Sequence, residues 1–297
     1  MIIFTSPFKN PFVNLSLEDY FLRSGISETV LLFYVNRPCV VFGRFQNPWL
    51  ETNLKYLVSN DIWAVRRQSG GGCVFHDEGN LNFSFITHNT PLDRRKYADC
   101  LREAFLKVSI ELTISPRHDL WLTDKEGVAK KISGSAYKQT KNSSLHHGTF
   151  LVSSDLEKLQ EGLKHSIIPS HSKSIPSVRS KVTTLQERFP GIEIKDVVEL
   201  VSHFFNTSPT ELDGTLLSHP LVQESFSKHI SWEWLWGETP YFETSTQEGD
   251  ISVQKGMILG EGKRFERASL EGRLTESELQ TLFPDFSEQH KLSNQIY

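Results

Sequence analysis

The chain has 297 residues, a formal net charge of −4 at neutral pH and a pI near 6.3. This length suits one large domain plus a smaller one. The slightly acidic balance argues against a broad nucleic-acid-binding or membrane-binding surface. No apolar run approaches the ~20 residues of a membrane-spanning helix, so the composition favours a soluble enzyme or binding protein.

The order of predicted elements mixes strands with helices, which indicates an α+β fold class. Val30–Val35 and Cys39–Phe42 read as a pair of strands around a turn at Asn36–Pro38. Two further strands, Ile62–Val65 and Leu81–Phe85, flank a glycine run, and the second shows the alternation of a half-buried strand. A strand therefore leads into the glycine run and another follows it.

Three helices are predicted from the spacing of apolar residues. The first covers residues 94–108, and the second covers residues 156–163 after a capping box at Ser154 and Glu157. The third covers residues 197–205. Near the end of the chain, Asp250–Val253 reads as a short strand and Thr275–Phe283 as a helix.

The most informative motif is RRQSGGG at residues 66–72, which is followed by CVFHD at 73–77. Three consecutive glycines are costly to order, so a fold keeps them where a partner must lie against bare backbone. Backbone amides beside two guanidinium groups indicate an anion, most plausibly a phosphate. The alternative is a mobile surface hinge. The structured flanks favour a phosphate-binding loop, although neither the dinucleotide fingerprint nor the P-loop pattern is present.

A second motif, KKISGSAY at residues 130–137, is followed by LHHGTFLV at 145–152. The small residues after the lysines would let a ligand approach the backbone, and a lysine there suits a phosphate or a developing carboxylate charge. Because neighbouring residues on a strand point to opposite faces, at most one of His146 and His147 faces a site. The chain has no HExxH motif and no close cysteine pair, which argues against structural zinc.

Together these motifs resemble the lipoate-protein ligase A family. Other matching pieces are NLSLED at 14–19, GRFQNPW at 43–49, RHDL at 117–120, SVRSKV at 177–182 and SWEW at 231–234. The resemblance implies the catalytic fold of biotin and lipoate-protein ligases, with mixed β-sheets and surrounding helices. It covers residues 1–242 and leaves residues 243–297 as a reduced C-terminal accessory domain.

The implied activity is that of an ATP-dependent lipoate-protein ligase. Lipoate, or octanoate, would react with ATP and Mg²⁺ to give acyl-AMP, and a lysine of an acceptor protein would then take the acyl group. The implied acceptors are lipoyl domains of 2-oxoacid dehydrogenase acyltransferase subunits and the glycine cleavage H protein. No nucleic-acid or membrane partner is expected.

The resemblance also implies roles for individual residues. Lys131 would be catalytic and would touch both the adenylate phosphate and the lipoyl carbonyl. The nucleotide would be held by Lys131 together with Arg67, Gly70, Gly71, Gly72, Cys73, Val74 and Phe75. Lipoate would be held by Lys131, Gly71, His76 and His147. Asp119 is a candidate Mg²⁺ ligand, with a turn or capping role as the alternative. Candidates for an apolar slot, or else for ordinary core, are Val74, Phe83 and Phe150.

Two segments near these motifs have open alternatives. Residues 166–181 are predicted to form an exposed loop near the site, which in the family closes over the adenylate and otherwise would be inert surface. Residues 94–96, RRK, are predicted to be a solvated helix start or else a rim that receives an acidic acceptor domain.

Other activities compete with the ligase. Cys73 lies in the glycine motif three residues before His76, so a thioester-forming nucleophile is an alternative. Only about 55 residues follow position 242, which puts adenylate formation in more doubt than acyl transfer. A transferase that uses a preformed acyl donor is the nearest rival, and a binding protein without turnover is the third hypothesis. A biotin ligase would show a GRGRxG-type loop, which this chain lacks.

The cysteines and the amino terminus bear on the compartment. Cys39, Cys73 and Cys100 are scattered and odd in number, which argues for a reducing environment. The first residues, Met1–Thr5, lack the Arg- and Ser-rich pattern of an organelle transit peptide. We expect a cytoplasmic protein, or a protein of the mitochondrial matrix if a presequence precedes this chain.

Overall fold

The structure, a computed structural model, describes residues 1–165, 167–246 and 249–265. Its strands are β1 (Ile2–Thr5), β2 (Val30–Tyr34), β3 (Cys39–Phe42), β4 (Trp63–Arg66), β5 (Val74–His76), β6 (Asn80–His88), β7 (Leu112–Ile114), β8 (Leu120–Thr123), β9 (Ala129–Ser133), β10 (Ser135–Gln139), β11 (Ser143–Leu151), β12 (His171–Ser172), β13 (Thr210–Glu211), β14 (Phe242–Thr246), β15 (Gly249–Gln254) and β16 (Met257–Ile258). Its α-helices are α1 (Pro11–Arg23), α2 (Pro48–Glu51), α3 (Leu54–Ser59), α4 (Lys96–Leu106), α5 (Leu156–Gly162), α6 (Leu185–Arg188), α7 (Ile194–Phe204) and α8 (Pro220–Ile230).

A large mixed sheet with the strand order β10-β11-β6-β2-β1-β13 lies at the centre. Successive residues of β2 point to opposite faces, as the period of a strand requires. Leu32 packs on one side of the sheet in a core that includes residues of α1 and α8. Leu31 packs on the other side with residues of α4 and α7. Both faces of the sheet are therefore buried, which confirms the α+β prediction.

A smaller sheet, β4-β3-β5, places the glycine motif between β4 and β5. The prediction that β2 and β3 form a hairpin is wrong, because the two strands belong to different sheets. β2 pairs with β1 and β6, whereas β3 pairs with β4 and β5. The side chain of Asn36 links α1 to β5: Asn14 Nδ2 donates to its Oδ1 (2.8 Å), and its Nδ2 donates to His76 Nδ1 (3.0 Å).

Two further sheets complete the described fold, with the orders β7-β8-β9 and β12-β14-β15-β16. The predicted strand at Asp250–Val253 is confirmed as part of β15. Side chains of this C-terminal sheet pack against the main body, where Phe242 lies 5.8 Å and Phe265 lies 5.2 Å from Trp49 between ring centroids. The domain boundary at residue 242 stays a prediction, and the predicted helix Thr275–Phe283 lies outside the described residues.

The three helices predicted upstream are confirmed with shifted ends, as α4, α5 and α7. The predicted N-terminal cap of α5 is displaced by one position. Asp155, not Ser154, accepts from the backbone N–H groups of Glu157 (3.1 Å) and Lys158 (3.0 Å). A carboxylate at this position also interacts favourably with the positive end of the helix dipole. No helix in the described ranges is both long and apolar enough to cross a membrane.

Arg66 connects β4 to two neighbouring segments from a fully buried position. Its guanidinium donates to the carbonyl oxygens of Arg44 (2.8 Å) and Gln46 (2.9 Å). It also donates to Leu235 O (2.8 Å) and to Thr239 Oγ1 (3.0 Å). One side chain thus satisfies buried acceptors from both flanking segments, so its role is structural.

We expect Arg66→Met to destabilise the fold by more than about 3 kcal/mol, because several buried oxygens would lose their donor. Urea unfolding measures this difference. Arg95→Met is the matched control, since Arg95 is exposed and forms only a surface ion pair with Asp99, so its cost should stay below about 1 kcal/mol. Equal costs for the two variants would contradict the role given to Arg66.

Candidate active site

Two cavities meet beside the glycine motif. The larger has a volume of about 610 Å³ and lies between β5, β9, α5 and residues 177–182. The smaller has a volume of about 210 Å³ and lies between the large sheet, β5 and the glycine motif. The residues that line both are Cys73, Val74, Lys131, Gly134, Thr149, Ser177 and Val178. A ligand could therefore extend from one cavity into the other past these side chains.

Lys131 provides the ammonium group at this junction. Its Nζ lies 2.9 Å from Asp119 Oδ2, and the other carboxylate oxygen of Asp119 accepts from the N–H of Ser135 (3.2 Å). A Cβ built on Gly134 would lie 3.3 Å from Lys131 Nζ, so the glycine of the motif leaves room for the lysine tip. Lys130 points elsewhere and pairs with Asp124 (3.0 Å).

The glycine loop, residues 67–73, is held from inside by Arg67. Its guanidinium donates to the carbonyl oxygens of Val41 (2.9 Å), Gly70 (2.7 Å) and Gly72 (2.8 Å), and Nε donates to Ser69 Oγ (3.0 Å). Four of its five N–H donors are thus used within the protein. Burial lowers the pKa of Arg67 to about 10, which leaves the group charged at neutral pH. Arg67 shapes the loop and lines the smaller cavity.

The glycines serve the packing of the loop as well as ligand access. Gly71 has a φ of +91°, a conformation that favours glycine. The carbonyl oxygen of Gly71 lies so close to Gly43 that a Cβ there would be 2.2 Å away. Gly71 and Gly72 line the smaller cavity, whereas Gly70 lines neither. The predicted nucleotide contacts of Cys73, Val74 and Phe75 fit the larger cavity, which all three line.

His147 faces the smaller cavity and is held by Glu18. His147 Nδ1 donates to the carboxylate of Glu18 (3.0 and 3.1 Å), and its Nε2 lies 2.6 Å from Ser69 Oγ. The hydroxyl groups of Tyr34 and Ser84 also donate to Glu18. Burial raises the pKa of Glu18, but attraction to His147 and these hydrogen bonds outweigh burial, so the pKa lies below its ordinary value of 4.5. The result is a buried, ionised carboxylate that orients the imidazole.

His76 also lines the smaller cavity. Burial and repulsion from Arg67 and His147 lower its pKa to about 3, so it is neutral at physiological pH. Asn36 donates to Nδ1, which places the proton on Nε2. Within the described ranges Nε2 is buried and has no partner, so it is available to a ligand. His146 instead packs 4.5 Å from the Tyr137 ring, between centroids, which confirms that only one of the paired histidines faces the site.

Residues 177–182, which include the end of the predicted exposed loop 166–181, form one wall of the larger cavity. Ser177 is its central contact: its hydroxyl accepts from the N–H of Cys73 (2.8 Å) and from Gln46 Nε2 (3.0 Å). The N–H of Ser177 donates to the buried carboxylate of Glu51 (3.2 Å). We call residues 174–183 the strap. The strap covers the amide of Cys73 in the glycine loop, and its closure over an adenylate stays a prediction.

The strap is anchored at both ends. On one side β12 pairs with β14, and the N–H of Lys173 donates to Tyr241 O (2.9 Å). On the other side, the N–H of Lys131 donates to Lys181 O (2.9 Å) and the N–H of Thr183 donates to Lys131 O (3.1 Å). The backbone of Lys131 and the C-terminal sheet therefore both hold the strap.

Several sequence predictions need correction. Phe83 and Phe150 are core residues and line neither cavity, because both point into the apolar layer beneath α4. Of the predicted slot residues only Val74 lines the cavities, and the apolar wall also contains Leu15 and Val41. Glu18, Tyr34, Glu51 and Ser177 were not predicted as site residues. Glu18 and Ser177 do fall within the matching motifs NLSLED and SVRSKV, which was the signal available.

The described ranges contain no cluster of three or more His, Cys, Asp or Glu side chains that could hold a metal. Asp119 has both oxygens engaged, by Lys131 and by the backbone of Ser135. A magnesium ion keeps several waters and needs only one or two protein carboxylates. The residues present thus fit an ion that arrives with a phosphate ligand, and the assignment of Asp119 stays a prediction.

The acid stability of the protein should depend on Glu18. Because its folded-state pKa is lowered, its ionisation stabilises the fold above about pH 4.5, and this contribution is lost as pH falls below that value. Glu18→Gln should be less stable than the wild type at about pH 6, and the difference should shrink at about pH 3.5. Chemical denaturation at both pH values measures it. The exposed Glu78→Gln is the control, and a difference for Glu18→Gln that is constant with pH would contradict the assignment.

Cys73 is a poor nucleophile in this fold. Its thiol is buried, and burial raises its pKa far above neutrality. We expect Cys73→Ala to keep ligation activity within about threefold of the wild type, with Cys100→Ala as the control. A loss of several orders of magnitude, measured by acyl transfer to an acceptor, would restore the thioester hypothesis.

The model of the lipoyl protein ligase A/B catalytic domain family matches residues 10–206. A Schizosaccharomyces pombe protein assigned as lipoate-protein ligase A is 34% identical over 281 residues, which cover 86% of this chain and 76% of that protein. A bi-partite lipoate protein ligase from Thermoplasma acidophilum, solved with its E2 lipoyl domain, is 25% identical over 79% of this chain and 96% of its own, with a TM-score of 0.64. A lipoate-protein ligase A bound with ATP is 25% identical over 76% and 94%, with a TM-score of 0.61. The chain therefore belongs to the lipoyl protein ligase A/B catalytic domain family.

Proposed function

We propose that this protein is an ATP-dependent lipoate-protein ligase. It activates lipoate, or octanoate, to acyl-AMP and transfers the acyl group to a lysine of an acceptor lipoyl domain. The observation that carries the proposal is the position of Lys131, whose side chain lines both cavities at their junction. In an acyl-adenylate, a negatively charged phosphate lies at the anhydride bond between the apolar acyl chain and the nucleotide. In this site, the ammonium of Lys131 lies between two cavities with different linings.

The larger cavity suits the nucleotide. Its wall includes the basic residues Lys131, Lys164, Arg179 and Lys181 and the single acid Glu51. β5 is the edge strand of its sheet, so backbone groups along its outer side can meet a ligand. In the first step a carboxylate oxygen of lipoate bonds to the α-phosphorus of ATP, and pyrophosphate leaves. Fixed cations favour this step because they offset repulsion between the two anions. The relative solved with ATP supports ATP as the nucleotide in this proposal.

The smaller cavity suits the acyl chain. Its wall combines the apolar side chains of Leu15, Val41 and Val74 with the polar groups of His76 and His147. Apolar burial contributes roughly 25 cal/mol per Å². In the second step the acceptor amine attacks the acyl carbonyl, an amide forms and AMP leaves with the bonding pair. The ammonium of Lys131 stabilises the negative charge that develops on the carbonyl oxygen.

Magnesium would reach the site with ATP. Asp119 and Glu51 are the carboxylates of the cavity walls that would hold it, and the ion would neutralise phosphate charge.

The acceptors we propose are lipoyl domains of 2-oxoacid dehydrogenase acyltransferase subunits and the glycine cleavage H protein. The Thermoplasma ligase solved with its E2 lipoyl domain supports the first. We propose the cytoplasm as the compartment. A transferase that uses a preformed acyl donor remains the second candidate, because the transfer step alone needs Lys131 and the smaller cavity. The cationic lining of the larger cavity favours the full ligase.

The test is lipoate-dependent exchange of labelled pyrophosphate into ATP by the purified 297-residue chain. We expect exchange in the wild type and a loss of about 10²–10³ in Lys131→Ala, the usual cost of one preorganised donor. Lys130→Ala is the matched control, because Lys130 is the neighbouring lysine and points to Asp124 instead of the cavities. Its exchange should remain near the wild-type rate.

Two outcomes would contradict the proposal. A protein without exchange that still acylates an acceptor from synthetic lipoyl-adenylate would be a transferase. Equal loss in the Lys130 and Lys131 variants would mean that general destabilisation, and not the position of Lys131, causes the effect.

A further inference from the structure

β10 is the outermost strand of the large sheet, and its outer edge has backbone groups that the sheet does not use. Within the described ranges it pairs with β11 alone, with Ala136 opposite His147. The N–H of Ser135 points away from β11 and donates to Asp119 Oδ1 (3.2 Å). Because backbone groups alternate in direction along an antiparallel strand, those of Tyr137 and Gln139 point the same way as those of Ser135. The edge thus presents two consecutive sites for main-chain hydrogen bonds.

This edge begins at the mouth of the smaller cavity. Ser135 and Ala136 line that cavity together with Arg117 and Gly71, both of which are exposed. A Cβ on Gly71 would lie 3.5 Å from Ala136 Cβ, so the glycine loop adjoins the start of β10. A lysine that enters here to reach the acyl carbonyl would bring its own backbone alongside β10.

The surface around the edge is positively charged. Arg94 is exposed, its guanidinium lies 5.5 Å from the Tyr137 ring centroid, and its carbonyl oxygen accepts from Tyr137 Oη (2.9 Å). Arg117 at the mouth adds a second cation, whereas the half-buried Lys138 on β10 donates its ammonium to Gln68 Oε1.

The acids close to these cations are already engaged. Asp93 Oδ1 accepts from the backbone N–H groups of Arg95 (2.9 Å) and Lys96 (3.1 Å), and Asp119 is paired with Lys131. Asp93 stays ionised, because these backbone hydrogen bonds lower the pKa of its carboxyl. Arg94 and Arg117 outnumber this one unpaired acid, so the face has a net positive charge although the chain as a whole has a net charge of −4. Such a face attracts an acidic partner and repels a basic one.

We propose that the outer edge of β10 is the docking strand for the acceptor protein. An extended, lysine-bearing segment of the acceptor adds to the sheet at Tyr137 and Gln139, and acidic side chains beside its lysine meet Arg94 and Arg117. Main-chain hydrogen bonds contribute affinity, and the charges set specificity and encounter rate. This inference rests on the proposed function for the identity of the acceptor, and it adds where the acceptor binds.

The first test removes one donor from the outer edge. Gln139→Pro eliminates an N–H that faces away from β11, so the ladder between β10 and β11 stays intact. Gln139→Ala is the matched control, because it truncates the same side chain and keeps the N–H. We expect an isolated lipoyl domain to bind Gln139→Pro at least about tenfold more weakly than the wild type, the size of one lost hydrogen bond to a docked strand. Gln139→Ala should bind within about twofold.

The second test reverses one charge. Arg94→Glu should weaken binding of the same lipoyl domain about tenfold at low salt, and the difference should shrink as salt is raised. Lys55→Glu is the control, because Lys55 is an exposed cation on a different part of the surface. It lies on α3, which packs next to β4 and α5 on the other side of the glycine motif. This variant should bind like the wild type.

Pyrophosphate exchange without acceptor separates this inference from the proposed function. Full exchange together with weakened binding in Gln139→Pro and Arg94→Glu would support docking at β10. Binding by both variants at the wild-type affinity would overturn it, whatever the exchange rate. Loss of exchange in the wild type itself would overturn the ligase but would leave the binding comparison valid. If Gln139→Pro failed to fold, the Arg94→Glu comparison would decide.

Discussion

In the reaction that we propose, one ammonium group, that of Lys131, serves two ligands in different cavities, and this constraint accounts for the arrangement around it. The lysine needs a partner that holds it at the junction, which Asp119 supplies at 2.9 Å. It needs space at its tip, which Gly134 leaves. It also needs a backbone that does not shift, and two hydrogen bonds to the strap at Lys181 and Thr183 provide this.

Through the strap, the position of Lys131 also depends on the C-terminal part of the chain. β12 lies just before the strap and pairs with β14 of the C-terminal sheet. Aromatic contacts to Trp49 hold this sheet against the main body. The short C-terminal segment first suggested that adenylate formation could be lost. The structure shows instead that its described part holds one wall of the larger cavity. The described C-terminal sheet therefore contributes to the side of the site that we propose for the nucleotide.

Local patterns in the sequence predicted the parts of the site whose chemistry lies in contiguous residues. The glycine motif between strands and the limit of one inward histidine follow from spacing and residue type, whereas the choice of Lys131 came from the resemblance to the family. The inward role of Arg67 does not follow, because only the tertiary fold shows that its donors meet carbonyl oxygens of its own loop. Glu18 lies more than a hundred residues before His147, and nothing local connects them.

The wrong prediction of a hairpin at β2 and β3 also comes from contacts between residues that are far apart in the sequence. A turn signal between two apolar runs favours local pairing, but each strand gains two partners when it joins a different sheet. Long-range pairing thus overrides the local preference. At the start of α5 a local signal was correct in kind but misplaced by one residue. The sequence predicted a cap at Ser154, and the neighbouring Asp155 makes the hydrogen bonds.

We propose that Lys131 acts in both half-reactions, and single-turnover kinetics tests this most directly. Purified Lys131→Ala would be given synthetic lipoyl-adenylate and an acceptor domain, and acyl transfer would be compared with its pyrophosphate exchange. We expect both rates to fall by about 10²–10³. Transfer at the wild-type rate in a variant that has lost exchange would contradict it, because Lys131 would then act on the nucleotide side alone.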